Sequence, residues 1–146
     1  MSVTLLDVNT LIALGDPFHV HHDRVQAWFH KEKARAWATC PLTENGFLRI
    51  LGNPAYKDSP GTPSELRPLL QAICSAPGHQ FWPDEISLRE TPDHTGLPAS
   101  KHLTDYYLLA LAVHRKGQLA SLDERIDPSL IPKGSKSYQV IPYGNA

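Results

Sequence analysis

At 146 residues the chain is expected to form one domain over 1–146, long enough to bury a hydrophobic core without disulfides or a structural metal. Hydrophobic residues at 41% and charged residues at 20% exclude a chain too polar to fold, and a net charge of -1 excludes a global attraction to nucleic acid, so any RNA contact has to come from local basic patches. The two cysteines, Cys40 and Cys74, lie far apart and fit reduced thiols in a cytosol better than a disulfide framework, and they read as small core residues.

The apolar stretch 3–14 is broken by Asp7 and Asn9 and lacks the preceding basic residue of a signal peptide. No later apolar run approaches the ~20 residues that span a bilayer, so a cytoplasmic protein without membrane contact is expected. Residues 3–6 are an unbroken apolar run with a β-branched residue, as in a strand buried on both faces of a parallel sheet, and the run ends at Asp7. A helix is predicted over 21–33, where Val25, Trp28 and Phe29 recur at helical spacing opposite Arg24, Lys31 and Glu32. Residues 36–39 predict the second strand. Pro41 then suits the first position of a helix reaching about Leu51, because the N–H it lacks would be unpaired there, and Gly52-Asn53-Pro54 stops that helix.

Proline, glycine and serine over 53–63 predict a surface loop, followed by a helix over 64–74 with the stripe Leu66, Leu69, Leu70 and Ile73. Residues 80–82 read as a third strand. The loop 83–101, with Pro92, Gly96 and Pro98, is long enough to be functional. Thr104 opens a strongly apolar helix through Val113, with Gly117 expected as the residue that closes it. Residues 118–122 predict a strand leading into Asp123, and 138–141 a last strand, with Pro142 at its end or at a sheet edge. This alternation predicts an α/β sandwich with a mainly parallel central sheet, in which ligands bind beyond the carboxyl ends of the strands.

Four acids fall at that edge: Asp7 after the first strand, Glu44 in the turns after the second, Asp105 opening an apolar helix, and Asp123 after another strand. Carboxylates gathered in a small cleft repel one another and are stable near neutral pH only when some are protonated or a cation is bound. Hard oxygen ligands select Mg²⁺ or Mn²⁺, and such an ion activates water and stabilises charge on an attacked phosphate, which makes phosphodiester hydrolysis the natural reaction. Each acid alone has a plainer reading: an Asx-turn for Asp7, a helix dipole for Asp105, a cap for Asp123, a solvated helix position for Glu44.

The local strings carry a resemblance. Leu5-Leu6-Asp7-Val8-Asn9-Thr10-Leu11-Ile12-Ala13-Leu14 resembles the opening motif of PIN-domain VapC toxins. Thr43-Glu44-Asn45-Gly46-Phe47-Leu48-Arg49-Ile50, Leu103-Thr104-Asp105-Tyr106-Tyr107-Leu108-Leu109-Ala110-Leu111-Ala112 and Leu119-Ala120-Ser121-Leu122-Asp123 resemble the family's other acidic motifs, in the family's order. The resemblance implies a PIN-like α/β/α sandwich and a Mg²⁺- or Mn²⁺-dependent endoribonuclease, the toxin of a type II toxin-antitoxin pair. It further implies Asp7, Glu44, Asp105 and Asp123 as metal-site and catalytic acids, Asn9 and Ser121 as supporting hydrogen-bonding residues, a VapB-like antitoxin covering the acidic cleft, and a homodimer. Tyr106, where many relatives have a small residue, and Glu124-Arg125-Ile126 after the last acid depart from the pattern and bear on the shape of the substrate cleft.

Two other readings compete. A HAD-like phosphotransferase would use Asp7 as a nucleophile, but Asn9 stands where its second aspartate belongs. A non-catalytic PIN-like module that binds RNA or protein is disfavoured by retention of all four acids. His19, His21 and His22 with Asp23 lack the partner ligands of a zinc site and read as a helix entry. Trp28, Trp37, Phe47 and Trp82 read as core rather than as base-stacking platforms. Lys31, Lys33, Arg35, Arg49, Lys101, Arg115 and Lys116 read mainly as solvated surface, with phosphate contact as the alternative.

Overall fold

Period-two alternation along buried strands sorts the apolar residues into two cores. Leu5, Ala38 and Leu119 point into one, and their chain neighbours Leu6, Trp37 and Ala120 into the other. The computed structural model describes residues 2–31, 36–90 and 96–143. The strands are β1 (Thr4–Leu6), β2 (Trp37–Thr39), β3 (His79–Phe81), β4 (Gln118–Ser121) and β5 (Tyr138–Val140). They form one parallel sheet in the order β3-β2-β1-β4-β5, with Leu5 opposite both Ala38 and Leu119.

The helices are α1 (Val8–Gly15), α2 (His22–Lys31), α3 (Pro41–Leu51), α4 (Pro63–Ile73), α5 (Leu103–His114) and the short α6 (Gly134–Ser137). Residues of α1 to α4 fill one core around Leu11, Val25, Phe47 and Leu66, whereas α5 supplies the other through Leu108 and Leu111. The result is the expected α/β/α sandwich. Chain direction reverses its sense of travel across the sheet between β1 and β4, because connections out of β1 run toward β2 and β3 and the return through α5 lands on the far side of β1. Adjacent strand ends whose helices leave on opposite faces bound a crevice, the usual ligand position in such sheets.

Several expectations held with ends shifted by a residue or two. α3 starts at Pro41 and stops before Gly52. α4 is capped by a reciprocal pair: Glu65 N–H donates to the Thr62 hydroxyl at 3.2 Å and Thr62 N–H donates to the Glu65 carboxylate at 3.0 Å. Glu32, Lys33, Arg35 and Pro92 lie outside the described residues. Trp28, Trp37, Phe47 and Trp82 are all buried, which confirms the core reading. The histidine stretch is a helix entry: His21 N–H donates to His19 Nδ1 at 3.0 Å, and His22 Nδ1 meets the Ala13 carbonyl at 2.7 Å.

Two features differ from expectation. The strand β1 is followed at once by α1, a helix not anticipated from sequence. The residue with left-handed backbone after α5 is Lys116, at φ 57°, rather than Gly117. Gly117 serves close approach instead, since a β-carbon there would lie 2.4 Å from the Val3 carbonyl oxygen and 2.8 Å from Trp82. Gly117→Ala is therefore expected to destabilise the fold by about 1–3 kcal/mol, read from the urea midpoint. Gly96→Ala, where a β-carbon meets nothing within 4 Å, should leave that midpoint in place.

Candidate active site

Asp7 lies where β1 ends and α1 begins, and the backbone there makes its position obligatory. Its N–H continues the β1–β4 ladder to the Ala120 carbonyl at 3.1 Å, and its carboxylate caps α1 by accepting from Thr10 N–H at 2.8 Å. With only 2% of its surface exposed, burial pushes the Asp7 carboxyl above its ordinary pKa. Hydrogen bonds from Ser121 and Thr10 pull it partly back, and the charge of Asp123 adds to the rise.

Ser121 ends β4 beside it, fully buried. Its hydroxyl also accepts from Asp123 N–H at 3.0 Å, so one side chain ties the two aspartates together. Asp123 is the more open of the pair. Its carboxylate receives Arg125 N–H at 2.8 Å and the Arg125 guanidinium at 3.1 Å, which holds its pKa below the usual carboxylate value. The Tyr138 hydroxyl donates to the Asp123 carbonyl and fixes the turn from the β5 side.

Asp105 comes from the first turn of α5, on the opposite face from α1. Burial, then the charges of Asp7 and Asp123, push its pKa up to about 7. Three of the four expected acids are thus brought into one electrostatic neighbourhood by β1, β4 and α5. Three oxygen donors of like charge, with ionisation disfavoured at Asp7 and Asp105, suit a hard divalent cation that would relieve the repulsion.

Glu44 is placed differently. It sits in the first turns of α3 beyond the end of β2, but its carboxylate accepts the Thr39 hydroxyl at 2.7 Å. Its charge acts on His79 and Cys74 rather than on the aspartates. Glu44, Cys74 and His79 bring one ligand atom each to within 4.8 Å of one another, and among the described residues no other such group converges as closely; the aspartates stand further apart. Thr10, Thr39, His79 and Tyr138 were not singled out from sequence, and Arg125 was noted only as part of a departure from the family pattern after the last acid. Only Thr10, three residues after Asp7 as a helix cap requires, carried a local signal.

An open cleft of about 550 Å³ adjoins Asp123 and is lined by Asn9, His19, His21 and Arg125 among others. Asn9 is exposed there and faces the cleft rather than a hydrogen-bonded interior. A roomier cavity of about 850 Å³ lies against α5, around Ile86, Leu88 and His114, and none of the four acids lines it. Arg115 pairs with Glu85 at 2.6 Å, whereas Arg49, Lys101 and Lys116 are exposed.

No family model matches the chain. Full-length relatives do. Ribonuclease VapC44 of Mycobacterium tuberculosis is 38% identical over 136 residues, covering 92% of this chain and 95% of that protein. Ribonuclease VapC39 of the same organism is 40% identical over 127 residues, covering 86% and 91%. Ribonuclease VapC38 is 39% identical over 121 residues, covering 83% and 85%.

The raised acid makes a stability prediction. Asp105 keeps its proton up to about pH 7 in the fold but only up to 3.8 in its ordinary state, so between those values the folded chain binds more protons than the unfolded one. Stability of the metal-free protein should therefore fall as pH rises through that window. In EDTA, the drop in melting temperature from about pH 5 to about pH 8 should be larger for the natural chain than for Asp105→Asn, and the variant should be the more stable at the higher pH.

Proposed function

The chain belongs to the VapC family of ribonucleases, and on that premise we propose that it is a metal-dependent endoribonuclease, the toxin of a type II toxin-antitoxin pair, built as one domain. The observation that carries the catalytic reading is the placement of three aspartates at the β1/β4 crevice: Asp7 at the end of β1, Asp123 after β4 with its N–H on the Ser121 hydroxyl, and Asp105 in the first turn of α5.

In this reading the three aspartates hold Mg²⁺ or Mn²⁺ through carboxylate oxygens, with Glu44 as a fourth acid at the same sheet edge. The bound ion supplies an activated water and neutralises charge on the phosphoryl group. Asp7 contributes the most desolvated carboxylate, fixed by Thr10 and Ser121. Asp105 would have to be ionised to hold the ion, so metal affinity is expected to rise with pH through about 7. Asp123 is kept ionised by Arg125, which also presents a cation toward the open cleft, where a phosphate backbone would run. Ser121 holds Asp7 and Asp123 in register, and Asn9 stands at the cleft wall as a polar contact for substrate.

The same reading supplies a VapB-like antitoxin, a second copy of the chain as a homodimer partner, and a cytoplasmic setting. Phe18 and Val20, both strongly exposed beside the cleft-lining histidines, support a protein partner that covers that side. No helix among the described residues is long and apolar enough to cross a membrane.

Purified, antitoxin-free protein is expected to cut a mixed RNA pool with Mg²⁺ or Mn²⁺, and EDTA should abolish cutting. Asp7→Asn, which keeps shape and removes charge, should lower the rate at least about 100-fold. A folded natural chain that binds RNA but leaves it intact under every metal would establish the non-catalytic binding module instead.

A further inference from the structure

We propose that the pocket beside His102 and Arg125 is a subsite for one unpaired nucleobase of a single-stranded RNA, turned out of the strand next to the aspartates. The proposal rests on the ribonuclease reading and adds a recognition step to it. The pocket, of about 240 Å³, is bounded by three short pieces of chain: the turn 98–102, Tyr106 in the first turn of α5, and the segment 125–130 after the last acid. Arg125 lines both this pocket and the open cleft beside Asp123, so it forms the wall between them. A strand whose phosphates run through the cleft can therefore pass one nucleoside around that wall.

The lining sets the chemistry of the occupant. Pro98, Tyr106, Ile126 and Leu130 make the walls mainly apolar, and two of them, Tyr106 and Ile126, are buried. A phosphate entering there loses hydration without compensation, whereas the flat face of a base gains contact. Imidazole and guanidinium planes both stack on splayed bases, and His102 and Arg125 supply one of each. Both are tied to the acidic site: the Arg125 guanidinium holds the Asp123 carboxylate at 3.1 Å, and after that bond the charge of His102 helps to keep the Asp123 pKa low. Asp127 gives the pocket a polar edge. Its Oδ1 accepts the Ser129 N–H at 3.0 Å and the Ser129 hydroxyl at 2.6 Å, which fixes the carboxylate in place. A carboxylate repels phosphate and accepts from an exocyclic amine, so adenine, cytosine or guanine is favoured over uracil. The space also lies below the roughly 300 Å³ at which pockets for larger organic ligands begin, which suits a single base.

Recognition can be read apart from cutting. Single-stranded oligonucleotides carrying 5-iodocytidine at successive positions, bound to the slow-cutting Asp7→Asn variant and irradiated, should crosslink from one position to His102 or Tyr106, located by mass spectrometry. Ala99→Trp, which fills the pocket from an exposed position on its lining, should remove that adduct. Ala55→Trp, at an exposed position lining neither pocket, should keep it. In the natural chain, kcat/KM for an oligonucleotide with cytidine at the crosslinking position should exceed that for uridine about 10-fold, and Ala99→Trp should erase the difference. Adducts on other residues only, an adduct that survives Ala99→Trp, or equal cutting of the cytidine and uridine oligonucleotides would each overturn the subsite and leave the ribonuclease reading standing. No cutting of any oligonucleotide by the natural chain, with the adduct intact, would instead remove the ribonuclease reading and leave the pocket as a base-binding site.

Discussion

Repulsion among carboxylates at the boundary between β1 and β4 is the constraint around which the rest of the molecule is arranged. Asp7 cannot move away from it. Its backbone continues the sheet, its side chain caps α1, and the alternation that buries Leu5 and Leu6 in opposite cores leaves it at the strand's end with almost no access to water. A buried carboxylate is tolerated only when hydrogen-bonded, and the fold supplies Thr10 N–H, the Ser121 hydroxyl and the start of α1. Those donors do not offset burial fully, since the Asp7 pKa remains raised. Bringing Asp105 across from α5 adds to the strain. Such an arrangement lowers the stability of the empty fold and makes sense as a place built to receive positive charge.

The three aspartates are unequal, and the inequality has a direction. Asp7 is sealed in, whereas Asp105 at the start of α5 and Asp123, clasped by Arg125 at the cleft, are both partly buried. Burial therefore falls toward the cleft beside Asp123. In the proposed reading an ion would gain most from the buried end, where the effective dielectric is low, while a polyanionic substrate would enter at the other end, where Arg125 offers compensating charge. Arg125 belongs to the segment that departs from the family pattern, so the outer wall of the cleft is where this chain is expected to differ from its relatives in substrate choice.

What the sequence made legible follows from how each feature is encoded. Strands buried on both faces appear as apolar runs, and β1, β2 and β4 were readable for that reason. The aspartates were readable because each stands at a junction, after a strand or in the first turn of a helix, where a turn residue and a site residue share one position. Helix α1 was hidden by the same burial that exposes β1. Thr10, Leu11, Ile12 and Ala13 are all buried in succession, so the residues after Asn9 show no amphipathic stripe that would mark a helix. Gly117 looked like a helix terminator, but its small size answers to the Val3 carbonyl and Trp82, contacts made only once β1 and β4 pair. Cys74 and His79 become partners of Glu44 through the packing of α3 and α4 onto the sheet, and a single sequence holds no trace of that convergence.

Glu44 therefore stands between two networks. From sequence it is one of four acids beyond the sheet edge; in the fold its carboxylate belongs to Thr39, in company with a thiol and an imidazole. To join an ion held by Asp7, the Glu44 carboxylate would have to leave the Thr39 hydroxyl that it accepts at 2.7 Å. With Glu44 turned to Thr39, the aspartates keep three acidic groups against a divalent charge, already enough for neutrality. The fourth acid is then free to vary in role without undoing the electrostatic logic of the first three. That separation explains how one short helix turn can carry a family motif and yet present its acid to a different set of neighbours.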